Sequence, residues 1–124
     1  MLIEQTVSKL QHKYNTADFP LPTRVTFKLR YFLILVDYVQ PLPEVDAALD
    51  AHRAFLKSHY DAGHFLMSGA RTPRDGGVIL AQASDRDKVS RWLQDDPFCK
   101  AGVAEYQIKE WNITMSAPGW PVTN

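Results

Sequence analysis

The chain has 124 residues, 45% of them hydrophobic and 23% charged, with fourteen basic and fourteen acidic side chains and no formal net charge. That length suits one domain burying roughly two-thirds of the surface its unfolded form exposes, and it argues against two. Charge balance argues against a broad grip on nucleic acid or an anionic membrane, one cysteine (Cys99) closes no intramolecular disulfide, and no apolar run approaches the roughly twenty residues of a membrane span.

Residues 1–15 hold Glu4 among scattered polar groups and lack the apolar core of a secretory signal, so a cytoplasmic protein is expected. Residues 1–30 read as an arm. Ile3, Val7, Leu10 and Tyr14 fall on one face of a helix too short to stand alone in water, and Asp18-Phe19-Pro20-Leu21-Pro22 follows as an extended connector. The arm is expected to lie across the main domain, residues 31–115, or across a partner subunit. An irregular tail, residues 116–124, completes the chain.

From Val25 to Tyr38 the pattern has period two. Val25, Phe27, Leu29, Tyr31, Leu33 and Leu35 share one face, while the other passes from polar (Thr26, Lys28, Arg30) to apolar (Phe32, Ile34, Val36). A central strand that becomes buried on both faces reads this way. Gln40-Pro41-Leu42-Pro43 stops it. A helix is then predicted from Pro43 to Ala62, capped by Gly63, with Val45, Leu49, His52, Leu56 and His59 inward and Ala48 and Phe55 flanking. Phe65–Arg71 reads as a strand, Thr72–Gly76 as a turn and Gly77–Ala83 as the paired strand. Gly76-Gly77 belongs to that hairpin rather than to a phosphate cradle, because no helix start follows it. Ser84-Asp85-Arg86-Asp87 resembles a capping box opening a helix through Gln94, with Val89, Trp92 and Leu93 inward. Asp96 as N-cap and Pro97 at the first position start a short turn that Gly102 ends, and Val103–Met115 gives the last strand.

This order, β-α-β-β-α-β, specifies an α+β ferredoxin-like fold: a four-stranded antiparallel sheet with both helices on one face. The second face needs a further layer. Phe32, Ile34, Val36 and Trp111 are expected to contribute to it, and a homodimer packed sheet to sheet would cover it.

No G-x-G-x-x-G, P-loop, C-x-x-C or H-E-x-x-H occurs, so neither a cofactor nor a metal is expected. His52 stands out because it sits mid-helix on the apolar stripe, where leucine would pack better. It is either a core histidine satisfied by a backbone carbonyl or a water, or a general acid/base, since imidazole titrates near neutrality. His59 is about 10 Å farther along the helix axis, too far to share an ion with His52, and His64 follows the capping glycine. Asp96 is an N-cap that also offers a carboxylate to orient an imidazole, and Asp37 is a second candidate for that role. Cys99 is a small buried hydrophobe or a nucleophile near a helix start. Arg71 and Arg74 straddle a turn, where they are either solvated loop cations or receivers of a substrate carboxylate. If His52 acts as acid/base, Arg71 or backbone donors near Ser68-Gly69 would stabilise enolate-like charge. Trp92, Trp111, Phe55 and Tyr106 read as core and interface packing.

Asp50-Ala51-His52-Arg53-Ala54-Phe55-Leu56, then Gly63-His64-Phe65-Leu66-Met67-Ser68-Gly69, then Asp95-Asp96-Pro97-Phe98 with Ala101-Gly102-Val103, resembles the YCII-related family from about Tyr31 to Ile113. The resemblance implies a dimeric α/β-barrel and a paired histidine and aspartate at an active site, matched here by His52 and Asp96. Some relatives are dehydrochlorinases of chlorinated hydroxyquinol-type aromatics, and the wider superfamily includes muconolactone isomerases and cofactor-free monooxygenases. The expectation is a cofactor-independent enzyme moving a proton on a small cyclic or aromatic substrate, by elimination or isomerisation. The competing expectation is a non-catalytic dimeric module that binds a small ligand or a protein, with His52 and Asp96 as a structural pair.

Overall fold

Alternating β-branched and aromatic residues fix a sheet whose helix-facing side carries most of the core. The computed structural model describes residues 29–120, so the Ile3/Val7/Leu10/Tyr14 stripe and the start of the predicted first strand lie outside the described residues. The elements are β1 (Arg30–Tyr38), α1 (Leu42–Ala47), α2 (Leu49–Asp61), β2 (Phe65–Ala70), β3 (Gly76–Ala83), α3 (Arg86–Gln94), α4 (Pro97–Lys100) and β4 (Ala104–Trp111). Arg30–Trp111 forms one compact unit. Its strands run in the order β2-β3-β1-β4 with every neighbour antiparallel, which is the ferredoxin-like arrangement.

Phe32, Ile34 and Val36 of β1 pack with Ile79 and Ala81 of β3 beneath Val45, Phe55, Val89, Leu93 and Phe98 of the helices. This corrects the expectation that they face away from the helices. Both faces of β1 are apolar, so period two groups its residues without saying which group meets the helices. The second face instead carries Tyr31, Leu33 and Leu35, with Trp111 opposite Tyr31 and Leu80 opposite Leu33. Trp111 is therefore on the expected side.

The long helix predicted over Pro43–Ala62 is two helices. Ala48 at φ −99°, ψ 0° closes α1 by donating its N–H to the Val45 carbonyl, while its own carbonyl accepts from His52 N at 2.9 Å. Alanine is a strong helix former, so nothing at position 48 announces the break. It leaves Val45, His52 and Phe55 buried and Leu49, Leu56 and His59 half-buried, so Phe55 belongs to the inward face rather than its flank.

Two aspartates start the later helices. Asp85 accepts from Lys88 N, and Asp96 accepts from Phe98 N with Pro97 in the first turn. Gly63, at φ +78°, ends α2 in the left-handed conformation that glycine adopts without strain. β4 stops at Trp111 rather than Met115 because its ladder partner β1 begins at Arg30, and Trp111 already pairs with Tyr31. Gly76 lies so close to β1 that a Cβ there would overlap the Val36 carbonyl oxygen, which explains the glycine that opens β3.

Candidate active site

His52 enters the core from α2, and Asp96 reaches it from the turn between α3 and α4. The two residues are 44 positions apart, yet His52 Nδ1 and Asp96 Oδ1 lie 2.7 Å from each other. Asp96 is fully buried. Its Oδ1 also accepts from Phe98 N at 3.0 Å, and its Oδ2 accepts the Tyr106 hydroxyl proton at 2.6 Å. Three donors thus converge on one carboxylate, the arrangement that a charge out of water requires. With the carboxylate supplied only by donors, His52 Nδ1 carries the proton in this pair and Nε2 is the nitrogen left for a ligand.

Packing fixes the imidazole plane. The Phe98 ring stacks on it with centroids 3.8 Å apart and planes 5° from parallel, and Phe55 lies beyond at 6.3 Å. Phe98 therefore has two tasks, since its backbone N–H caps against Asp96 while its ring supports His52. Tyr106 stays a hydroxyl donor. Burial first, and then the bond to Asp96, push its ionisation far above the ordinary tyrosine range.

His52 opens onto a cleft of about 250 Å³ between α2 and the β2–β3 hairpin. Val36, Leu49, Leu56, Ile79 and Phe98 give it apolar walls, Ser68, Gly69 and Gly77 give it backbone, and Arg53 stands beside His52 on the lining. A dry cavity of about 150 Å³ is enough for benzene, so this cleft suits one substituted ring.

Ser68 and Gly69 line the cleft, and the Ser68 hydroxyl is hydrogen-bonded to Tyr60 Oη at 2.6 Å. Arg71 is elsewhere. Its guanidinium donates to Asp37 Oδ1 at 2.8 Å, Asp75 Oδ1 at 2.9 Å and the Gly77 carbonyl at 3.2 Å, tying the hairpin to β1. Asp37 accepts from Arg71 and from Gln107, and those bonds hold its carboxyl below the usual range. Arg74 pairs with Asp46. Cys99 is a half-buried free thiol. His59 and His64 come together, Nδ1 to Nδ1 at 2.9 Å, with the His64 ring flat on Trp92 at 3.9 Å. Among the described residues no group of three or more His, Cys, Asp or Glu side chains is placed to hold a metal ion. No described helix is long and apolar enough to cross a membrane.

Sequence reasoning passed over Tyr106, Phe98 and Arg53 as parts of this site. A tyrosine on the helix-facing side of β4 needs a partner for its hydroxyl, and that requirement was the available signal for Tyr106. Phe98 and Arg53 carried none beyond their places in the local motifs.

The solved structure of the 5-chloro-2-hydroxyhydroquinone dehydrochlorinase TftG from Burkholderia phenoliruptrix AC1100, in complex with 2,5-dihydroxybenzoquinone, has the same fold. It matches with a TM-score of 0.58 at 22% identity, covering 66% of this chain and 93% of that one. A Xenovulene A biosynthesis cluster protein, asL2 of Sarocladium schorii, is 31% identical over 75 residues, 51% of this chain. The match spans only 59% of that relative's length. The model of the YCII-related domain matches residues 30–112, which take in the four strands and four helices of the described residues and both His52 and Asp96. The chain belongs to the YCII-related family.

Proposed function

We propose that the protein is a cofactor-independent enzyme that moves a proton on a small cyclic or aromatic substrate, in an elimination or an isomerisation. The observation that carries this reading is an imidazole whose Nδ1 is committed to a fully buried carboxylate while the residue lines a cleft with largely apolar walls. His52 Nε2 is then the group that takes the proton. Asp96 keeps the tautomer and stabilises the imidazolium that forms. In dehydrochlorination, Nε2 removes a proton, the electron pair left behind builds the new double bond, and chloride departs with its bonding electrons. The net loss is HCl. The dehydrochlorinase with the same fold and the biosynthesis-cluster relative support small-molecule chemistry of this kind.

Positioned acid–base catalysis contributes about 10²–10⁴ in rate, or roughly 3–5 kcal/mol. The remainder comes from holding the ring against His52 and from donors at the Ser68–Gly69 edge of the cleft. Arg71 acts there by bracing the β2–β3 hairpin through Asp37 and Asp75. The protein works as a homodimer through the sheet face carrying Leu33, Leu35 and Trp111, a residue 47% exposed.

The test is turnover of a ring panel that includes 5-chloro-2-hydroxyhydroquinone, read by chloride release and by absorbance. Wild type is expected to turn over at least one member, and His52→Ala to lose about 10²–10⁴ of that rate while keeping its fold. Wild-type rates in His52→Ala would remove His52 from the mechanism. The complete enclosure of Asp96 also fits a non-catalytic binding module, for which rings would bind wild type without turnover. A monomer mass in sedimentation would remove the dimer.

A further inference from the structure

Arg53 stands at the solvent edge of the cleft, beside apolar lining residues of its own helix. Leu49, Arg53 and Leu56 follow at i, i+4 and i+7 on α2, so they share a face, and all three line the cleft. The side chain is 69% exposed, which places its guanidinium at the mouth of a pocket with largely apolar walls.

Accounting for the cations at this end of the domain separates Arg53 from its neighbours. Arg71 is held by Asp37 and Asp75, and Arg74 by Asp46. Arg53 has only Asp50, a residue of its own helix, at 4.0 Å, beyond hydrogen-bond range, and with a fully exposed carboxylate. Among the described residues Arg53 has no hydrogen-bonded carboxylate. The lining contains no aspartate or glutamate at all, so nothing within the cleft neutralises that charge. An exposed cation whose only ion-pair partner is a solvated neighbour keeps its planar fork of donors for a ligand.

We infer that Arg53 positions the substrate, and that the ring taken by the cleft is an acid, ionised at neutral pH, whose anionic group meets the guanidinium at the mouth while the ring faces His52. The inference rests on the proposed function of the same cleft and narrows its substrate class to single-ring anions. An exposed ion pair adds up to about fivefold in affinity, and two parallel N–H···O bonds from a guanidinium raise that further.

Binding of hydroxybenzoates, each compared with its methyl ester, tests this directly. Dissociation constants come from NMR titration of wild type, Arg53→Met and Arg53→Lys, each first shown by its melt to be folded. In wild type the acids bind about fivefold or more tightly than the esters, and the preference shrinks with added salt. Arg53→Met brings the acid-to-ester ratio to about one with the ester constants unchanged, and Arg53→Lys keeps part of the preference. A ratio unchanged in Arg53→Met, or acids and esters equal in wild type, overturns the role of Arg53 and leaves the cleft as a ring site. Failure of both acids and esters to shift His52 or Phe98 overturns the ring-site reading and the role of Arg53 with it.

Discussion

Replacing Asp96 by alanine strands three donors at once, and the cost can be worked from their surroundings. The Phe98 N–H loses its N-cap, worth about 1 kcal/mol. The His52 Nδ1–H and the Tyr106 hydroxyl lose their acceptor, at about 1–3 kcal/mol each. The lower end applies to both, because the His52 side chain keeps 10% of its exposure and the Tyr106 hydroxyl can rotate. Against this, a carboxylate no longer has to be kept out of water. The expected net loss is about 2–4 kcal/mol, or a Tm lower by roughly 10 °C for a domain of this size. Asp96→Asn keeps an acceptor for His52 and Phe98, and its new amide can donate to Tyr106, so it should lose about 1 kcal/mol. Urea unfolding with a constant m-value measures both variants. A loss below about 1 kcal/mol in Asp96→Ala would refute the claim that this carboxylate anchors the turn between α3 and α4.

Tyr106→Phe removes one donor from a buried acceptor without changing shape, and should lower stability by about 1–3 kcal/mol in the same assay. Stability should also depend on pH through His59 and His64. Burial lowers both pKa values below the ordinary 6.5, helped at His59 by the facing His64 and at His64 by Lys88, while Asp95 and Asp96 partly oppose the shift at His59. The unfolded chain therefore binds more protons than the folded one below about pH 6.5. This contribution is fully present above that pH and is lost as pH falls through the folded values. Melts at a series of pH values should show that loss, and replacing both histidines with glutamine should flatten it. An unchanged slope would assign the effect to other groups.

The order of elements was legible because it rests on local signals, whereas the pairing of His52 with Asp96, 44 positions apart, was implied by the resemblance to the YCII-related family. Proline and glycine punctuation bounds the strands and helices, and D-P-F gives an N-cap whose carboxylate sits at a helix start. What stayed hidden was relational. The apolar set on either face of β1 reads equally well toward the helices, so Phe32, Ile34 and Val36 were assigned to the wrong side of the sheet. Arg71 and Arg53 are indistinguishable as letters. Only the positions of Asp37 and Asp75, brought in from β1 and the hairpin turn, show which arginine is already engaged. The contact between His59 and His64 likewise depends on the turn that Gly63 makes between α2 and β2, which brings the two imidazoles together Nδ1 to Nδ1 with their planes tilted by 39°.

The central claim is that Asp96 holds His52 with Nε2 turned to a ring-sized cleft and free of a proton when the imidazole is neutral. Imidazole ¹⁵N shifts of His52, recorded above neutral pH with and without a ring ligand, test it most directly. The account predicts a protonated Nδ1 and an unprotonated Nε2 whose signal moves on ligand addition. A proton resident on Nε2, or an Nε2 signal that no ring ligand moves, would contradict it.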